Sequence, residues 1–478
     1  EIAQCLVGSE MCIRDSFLQF FENMVLLLNL DTLCSIIETG SDLEEQSMRL
    51  TSGASDGTRN YIVDGIRYVC ANFKERAPGT HSERKAQSFL AGELEQWADD
   101  VQVENFNVHP HAFMGWIPAA GVVAMLSVLF YWLTFRGAVH GAALAVIALL
   151  LTVLAVICLV GEFLLYRECI DPLFPKKTSR NVMAVRKPSG EVRRRIIFGG
   201  HTDAANEWTY SLHGGLKSLA LVMAGSIGGL LFVTVFNMIW LCNAIFGSGY
   251  TSAFWLVMGV LELVLVPFFV AILFFINWRV VVDGANDNLS ADFIAMGVLR
   301  EMAEQDVRFE HTEVCALLTG SEEAGLRGAL AYAKRHKREL QQVETVFIAM
   351  DTMREIEQLQ IYTSGCTGTQ KNSNAVGELI YEAGENCGIE MRETDLYPGA
   401  IDAEGFSRYG LEAAGFCGVN HDPRTYYHTR LDTPDNISEA CINLSLDICL
   451  EAAGLYDRSG GLDAFREEGK KRFKRGHN

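Results

Sequence analysis

A chain of 478 residues can hold a large folded domain and a further unit, and 59 acidic against 40 basic residues argue against nucleic acid as a partner. The chain is nevertheless 49% hydrophobic, with a mean hydropathy of +0.14, so an acidic polar domain must coexist with very apolar segments, as in a membrane-attached enzyme. Thirteen cysteines without a C-x-x-C pair, some inside apolar runs such as Ile157-Cys158-Leu159, argue against a disulfide framework and fit reduced thiols of a cytoplasmic protein.

Residues 1–47 show no starting Met, no clear period and no signal-peptide layout, and they are read as an uncertain, partly non-native segment. The apolar stretch 17–30 is interrupted by Glu22 and is too short for a membrane span. Helical spacing then predicts helices over 61–73 and 82–97, joined by the turn Arg76-Ala77-Pro78-Gly79-Thr80, with a strand over 101–108. Residues 112–135 carry no charge, and 137–161 carry none except the titratable His140; each supplies the roughly 20 residues of a span. A second apolar pair is expected near 219–241 and 254–277, with Gly247-Ser248-Gly249-Tyr250 between them.

These runs predict two transmembrane hairpins, 112–167 and 218–278, set into an α/β domain formed by 48–111, 168–217 and 279–460, with a charged tail over 461–478. The hairpin tips hold only Arg136, whereas the other ends carry Arg167, Lys176, Lys177, Arg180, Lys217 and Arg279, which places the α/β domain in the cytoplasm. Glu262 falls inside the fourth span, where an ionisable group is either functional or relieved by snorkelling or a neighbouring helix. Beyond 279 the pattern predicts helices over 290–304, 326–337, 374–387 and 439–456, and strands over 312–318, 345–350 and 358–363. The basic run 470–475 is a solvated end that could also touch anionic lipid.

The chemistry concentrates at the ends of the strand-like runs. LLTGSEEAGLRGA at 317–329 ends a strand, turns on Gly320 and delivers Glu322 and Glu323 where an open α/β sheet keeps its site. A bare Glu-Glu pair is ordinarily a solvated acidic turn, but four other stretches change that reading. They are RRIIFGGHTDA at 194–204, VVDGANDNLSA at 281–291, VFIAMDTM at 346–353 and YYHTRLDTPDN at 426–436. His201, Asp287, Glu323, Asp351 and His428 make a nitrogen and oxygen donor set suited to zinc, and a shared carboxylate would allow two ions in one cleft.

With ligands in the order His, Asp, Glu, Asp, His and the words G-H-x-D, G-A-x-D-N, E-E-x-G-L-x-G, M-D and Y-H-T-x-x-D-T, the sequence resembles the co-catalytic di-zinc exopeptidases, peptidase family M28. The resemblance implies a three-layer zinc-peptidase domain with a central mixed β-sheet. It implies two zinc ions, with His201 and Asp351 on one, Glu323 and His428 on the other, and Asp287 bridging. Glu322 would be the general base, Asp203 would orient His201, and the bond from Asp287 to Asn288 would be cis. Asp402 is retained although its neighbours Ile401, Ala403 and Glu404 depart from the family pattern. Tyr397 and Tyr427 are candidates for the oxyanion, and His421 lacks the Y-H-T context of His428.

The second hairpin lies between His201 and Asp287, so the metal cleft is expected close to the membrane surface. The expected activity is a membrane-anchored aminopeptidase acting on peptides. Carboxypeptidase or glutaminyl cyclase-like chemistry, and a non-catalytic receptor or scaffold on a peptidase fold, are the alternatives.

Overall fold

The computed structural model describes residues 54–137, 141–247, 250, 252–365, 367–393, 399–420 and 426–473. The expectations for 1–47, for Tyr397 and for His421 lie outside them. The chain divides into two compact units, one of residues up to Val108, Lys177–Ala205 and Val280 onward, the other of His109–Lys176 and Asn206–Arg279.

In chain order the larger unit begins with α1 (Asp56–Asn72), α2 (His81–Leu94) and β1 (Asp100–Val108). The smaller unit contributes α3 (Ile117–Phe135) and α4 (Gly141–Cys158) before the chain returns to β2 (Lys177–Arg186) and β3 (Arg194–His201). The chain continues with β4 (Asn206–Trp208), α5 (Thr209–Phe246), α6 (Ala253–Ala271) and β5 (Ile276–Val281). It then forms α7 (Ser290–Glu304), β6 (Thr312–Thr319), α8 (Arg327–Leu340), β7 (Glu344–Met353), β8 (Gln360–Tyr362) and α9 (Asn374–Asn386). The last elements are β9 (Arg392–Glu393), α10 (Asp402–Ser407), β10 (Glu412–Gly418), α11 (Glu439–Arg458) and α12 (Arg466–Arg472).

The sheet of the larger unit runs β1-β2-β6-β3-β7-β10-β8-β9. Its centre, β6-β3-β7-β10, is parallel, and β2 and β8 flank that centre antiparallel, so the sheet is mixed. Alternation along the strands builds two cores. Ile196, Phe198, Ala316, Leu318, Ile348 and Met350 face α1, α2, α7, α9 and α11, whereas Ile197, Cys315, Leu317, Phe347 and Ala349 face α8 and α10. Helices on both faces of the sheet make the three-layer α/β domain.

Helix starts follow local chemistry. The Ser55 and Thr80 side chains accept from the amides of Thr58 and Glu83 and so cap α1 and α2. At Gly199 a β-carbon would meet the Leu317 carbonyl at 2.1 Å, and at Gly200 the Ala291 side chain at 2.6 Å. The paired glycines before His201 therefore allow β6 and the start of α7 to close on β3.

In the smaller unit four helices are long and apolar enough to cross a membrane: Ala112–Phe135, Gly141–Leu164, Thr209–Phe246 and Ala253–Phe274. Their outer faces expose large apolar side chains, among them Leu129, Leu150, Leu154, Ile157, Leu221 and Val264, a belt that water would not solvate favourably. Two boundaries differ from the sequence reading. α5 starts ten residues before the expected 219, with Gly215 at φ 67° breaking it; His213 and Lys217 had hidden this first turn. The α-helical part of the fourth span ends at Ala271, a 3-10 turn carries it to Phe274, and Ile276–Val281 is a strand paired with β4 rather than the end of a span. The side chain of Asn277 donates to Glu207, and the amide of Thr209 donates to the Phe275 carbonyl; these polar pairings close the base of the hairpin and are invisible to an apolar count.

Candidate functional site

The connection from β3 leads to β6 on one side, and β7 follows on the other side of β3, so the chain reverses direction across the sheet at β3 and opens a crevice at the carboxyl ends of the strands. His201 is the last residue of β3, Glu322 and Glu323 follow β6, and Asp351 lies near the end of β7. Asp287 arrives just before α7, and His428 lies ten residues beyond the end of β10, in a turn with φ 51°. All five residues expected from sequence as metal ligands, and Glu322 with them, are thereby brought together.

Asp287 is at the middle of the group. Its Oδ1 lies 3.3 Å from His201 Nε2 and its Oδ2 lies 3.0 Å from His428 Nε2. Around His201 Nε2 stand Glu322 Oε2 at 3.7 Å and Asp351 Oδ2 at 3.8 Å, while His428 Nε2 is 3.3 Å from Glu323 Oε1. The donors therefore fall into two groups that share Asp287. Asp287 Oδ2 and Glu323 Oε1 are buried and make no hydrogen bond among the described residues, although each stands within ion-pair distance of His428. Donor atoms of His201, Asp287 and Glu323 lie within 4.8 Å of one another. Imidazole nitrogens and carboxylate oxygens converging in a buried crevice suit a divalent cation of the zinc type.

The electrostatics show why a cation fits. Burial, followed by neighbouring carboxylates, pushes Glu323 up to about 8 and Asp351 to about 7, and raises Glu322 well above the usual carboxylate range against the lowering effect of His201. Burial would lower the two imidazoles, yet the surrounding carboxylates, Glu322 beside His201 and Glu323 beside His428, raise both, His428 to about 9. Asp287 alone is lowered, since its contacts with His201 and His428 outweigh its burial.

Supporting residues hold this crowd in place. The carboxylate of Asp203 accepts the amides of Glu322 at 3.0 Å and Glu323 at 3.1 Å, so it fixes the Glu-Glu turn. Its backbone carbonyl, at 3.2 Å, is closer to His201 Nδ1 than its carboxylate is, at 3.6 Å, a separation too long for a hydrogen bond. Asp432 accepts the amides of Asn286 at 2.8 Å and Asp287 at 3.1 Å. Asn288 donates to the Met350 carbonyl and accepts the Thr352 amide, tying Asp287 to β7. The Asp287–Asn288 bond is cis, as expected.

Arg76, buried in the turn between α1 and α2, donates to the carbonyls of Thr202 and Asp283 at 3.0 and 2.7 Å. Glu83 accepts the Ser321 amide at 2.8 Å and the Ser179 hydroxyl at 2.7 Å. The sequence reading assigned no role to Arg76, Glu83 or Asp432. The only signals were the R-x-P-G-T turn and the Asp of Y-H-T-x-x-D-T. Asp402 is buried, takes the Thr319 hydroxyl on Oδ2 and leaves Oδ1 without a hydrogen bond among the described residues; burial pushes it up to about 6. Tyr427 stacks on His428 with ring centroids 4.2 Å apart.

Residues 273–453 match the sequence model of peptidase family M28. That match spans the part of the chain that follows the second helical pair and carries most of the crevice residues. The M28 match includes Asp287, Glu322, Glu323, Asp351 and His428 and begins downstream of His201, which the second helical pair separates from the rest. Among solved structures, an aminopeptidase from Aneurinibacillus sp. strain AM-1 is 16% identical, with 86% of this chain and 95% of that chain covered and a TM-score of 0.48. A zinc aminopeptidase from Bacillus subtilis is also 16% identical, with 84% and 95% covered and a TM-score of 0.47. A glutaminyl cyclase from an Acidobacteriales bacterium is 12% identical, with 86% and 98% covered and a TM-score of 0.46. No curated protein matches the sequence.

The shifts in the crevice set a pH dependence. Glu323, Asp351 and Asp402 hold protons in the folded state above their unfolded titration near pH 4, and His428 above its own near 6.5. The folded state therefore binds more protons between about pH 4 and 9, and stability falls as pH rises through that window. Denaturant unfolding of chelator-treated protein should show a loss of about 1.4 kcal/mol per pH unit for each excess proton. Restoring divalent metal should flatten or reverse the slope, and a chelated protein more stable at pH 8 than at pH 5 would contradict the electrostatics described.

Proposed function

We propose that the protein is a membrane-anchored, zinc-dependent exopeptidase that removes N-terminal residues from peptides. The observation that carries this reading is Asp287, with one oxygen toward His201 and the other toward His428. His201 and Asp351 would hold one zinc, Glu323 and His428 a second, with Asp287 common to both. Bound zinc would acidify water and polarise the scissile carbonyl.

The chain's own residues do the rest. Glu322 takes a proton from the attacking water, whose oxygen bonds to the carbonyl carbon. As the carbon–nitrogen bond breaks, Glu322 returns that proton to the leaving amine. Its burial among carboxylates raises its affinity for the proton in transit. Asp203 keeps Glu322 in register through the backbone of the turn. Tyr427, stacked on His428, is the first candidate to donate to the oxyanion, and Tyr397 is the second. Asp402, an acid with an oxygen to spare, favours a substrate ammonium over a C-terminal carboxylate, which supports aminopeptidase over carboxypeptidase action.

Glu322→Gln should keep its metal and lose about 10²- to 10⁴-fold in turnover. Glu323→Gln should lose metal. Free peptides should be cleaved, N-acetylated ones spared, and chelator should abolish the reaction. Equal metal loss in both variants would refute the separation of roles; cleavage of N-acetylated peptides, or cyclisation of N-terminal glutamine without hydrolysis, would refute the aminopeptidase assignment.

The same proposal places the four apolar helices in the cell membrane and the peptidase domain in the cytoplasm, where substrates are peptides or exposed ends of membrane proteins. Support comes from the basic residues that flank the helices away from the hairpin tips. In a cysteine-free background, single thiols at Ser252 and Ser459 should behave differently toward a membrane-impermeant reagent in intact cells. Labelling is expected at Ser252 alone; labelling at Ser459 would invert the topology.

A further inference from the structure

Glu262, in α6, is used by none of this chemistry. It is fully buried within the four-helix unit, and neither carboxylate oxygen has a hydrogen-bond partner among the described residues. Tyr131 of α3, whose ring packs against Gly259 one turn before the acid, already donates its hydroxyl to the Trp255 carbonyl at 2.6 Å.

Its depth is informative. At about 1.5 Å rise per residue, Glu262 lies roughly 14 Å from the start of α6 at Ala253. Ser127 lies roughly 12 Å from the end of α3, Asn237 roughly 14 Å from the end of α5 and Thr152 roughly 17 Å from the start of α4. Every helix of the bundle thus carries a buried polar side chain at a similar distance from the hairpin tips. Three of them satisfy one another: Ser127 Oγ donates to Asn237 Oδ1 at 3.0 Å, and Asn237 Nδ2 donates to Thr152 Oγ1 at 3.2 Å. Glu262 is the member left without a bond. An ionised carboxylate in that setting would carry the full penalty of its lost hydration, and a proton removes the charge that causes it. Pro267, five residues further along α6, cannot donate to the Leu263 carbonyl, which weakens the helix one turn from the acid.

We propose that Glu262 carries a proton and forms a proton-binding site at mid-depth of the four-helix unit, separate from the peptidase chemistry. The site makes the interior of the bundle sensitive to proton occupancy, as intramembrane carboxyls that relay protons are. It stands on burial and on missing partners within one unit, and holds whichever peptide end the enzyme cleaves.

Dicyclohexylcarbodiimide, an apolar reagent that needs a protonated acid, tests it on the full chain in lipid vesicles at neutral pH. The acid proton passes to a carbodiimide nitrogen and the carboxylate oxygen bonds to the central carbon, so the peptide gains the mass of the whole reagent. The expected result is an adduct on the peptide containing Glu262 in most chains, unchanged by sodium chloride and absent in Glu262→Gln. No adduct at Glu262, under conditions where a water-soluble carbodiimide labels surface acids, would overturn the proposal. An adduct suppressed by sodium at constant ionic strength would also overturn it, showing a cation site instead.

Discussion

Asp287 between two imidazoles is the constraint on which the peptidase domain depends. A carboxylate that offers one oxygen to His201 and the other to His428 must be held from behind, and its backbone is held on several sides. Asp432 takes its amide, Asn288 ties the following residue to β7, and Ser290 links the Asn286 carbonyl to the Met353 amide. These bonds fix the start of α7, which in turn packs on β3 through Gly200, so the position of one carboxylate and the packing of the central sheet are decided together.

Between His201 and Asp287 the chain leaves the domain to build a helical pair, an interruption that the site tolerates for a physical reason. The cost of closing a loop grows only logarithmically with its length, and here the ends are brought together. Within the smaller unit β4 pairs with β5, and within the larger unit the Val282 amide donates to the Ala205 carbonyl.

The parts of this architecture that were legible in the sequence are those with a local signal. His201, Glu322, Glu323 and Asp351 each end or follow an apolar run with a strand's period, and the parallel centre of the sheet gathers such ends into one crevice. The helical stretches were legible because uncharged runs of that length are rare in polar domains. Bonds between distant segments left no trace. Arg76 reaches the carbonyls beside His201 and before Asp287, and Glu83 reaches Ser321. Neither partner can be inferred from residues close in sequence. Asp203 was legible as a site residue, yet its carboxylate serves the Glu322-Glu323 backbone while its carbonyl faces the histidine. Strand β5 was missed because its polar pairings, Asn277 with Glu207 among them, are set by a segment some 70 residues away.

In the proposed centre one carboxylate serves two cations, and metal content of Asp287→Ala measures that most directly. Elemental analysis of the purified full chain after zinc loading and gel filtration should give two zinc ions per chain for the wild-type protein. For Asp287→Ala, shown to be folded by circular dichroism, both should be lost together. A wild-type protein that saturates at one ion, or an Asp287→Ala variant that retains two, would contradict the shared-carboxylate centre.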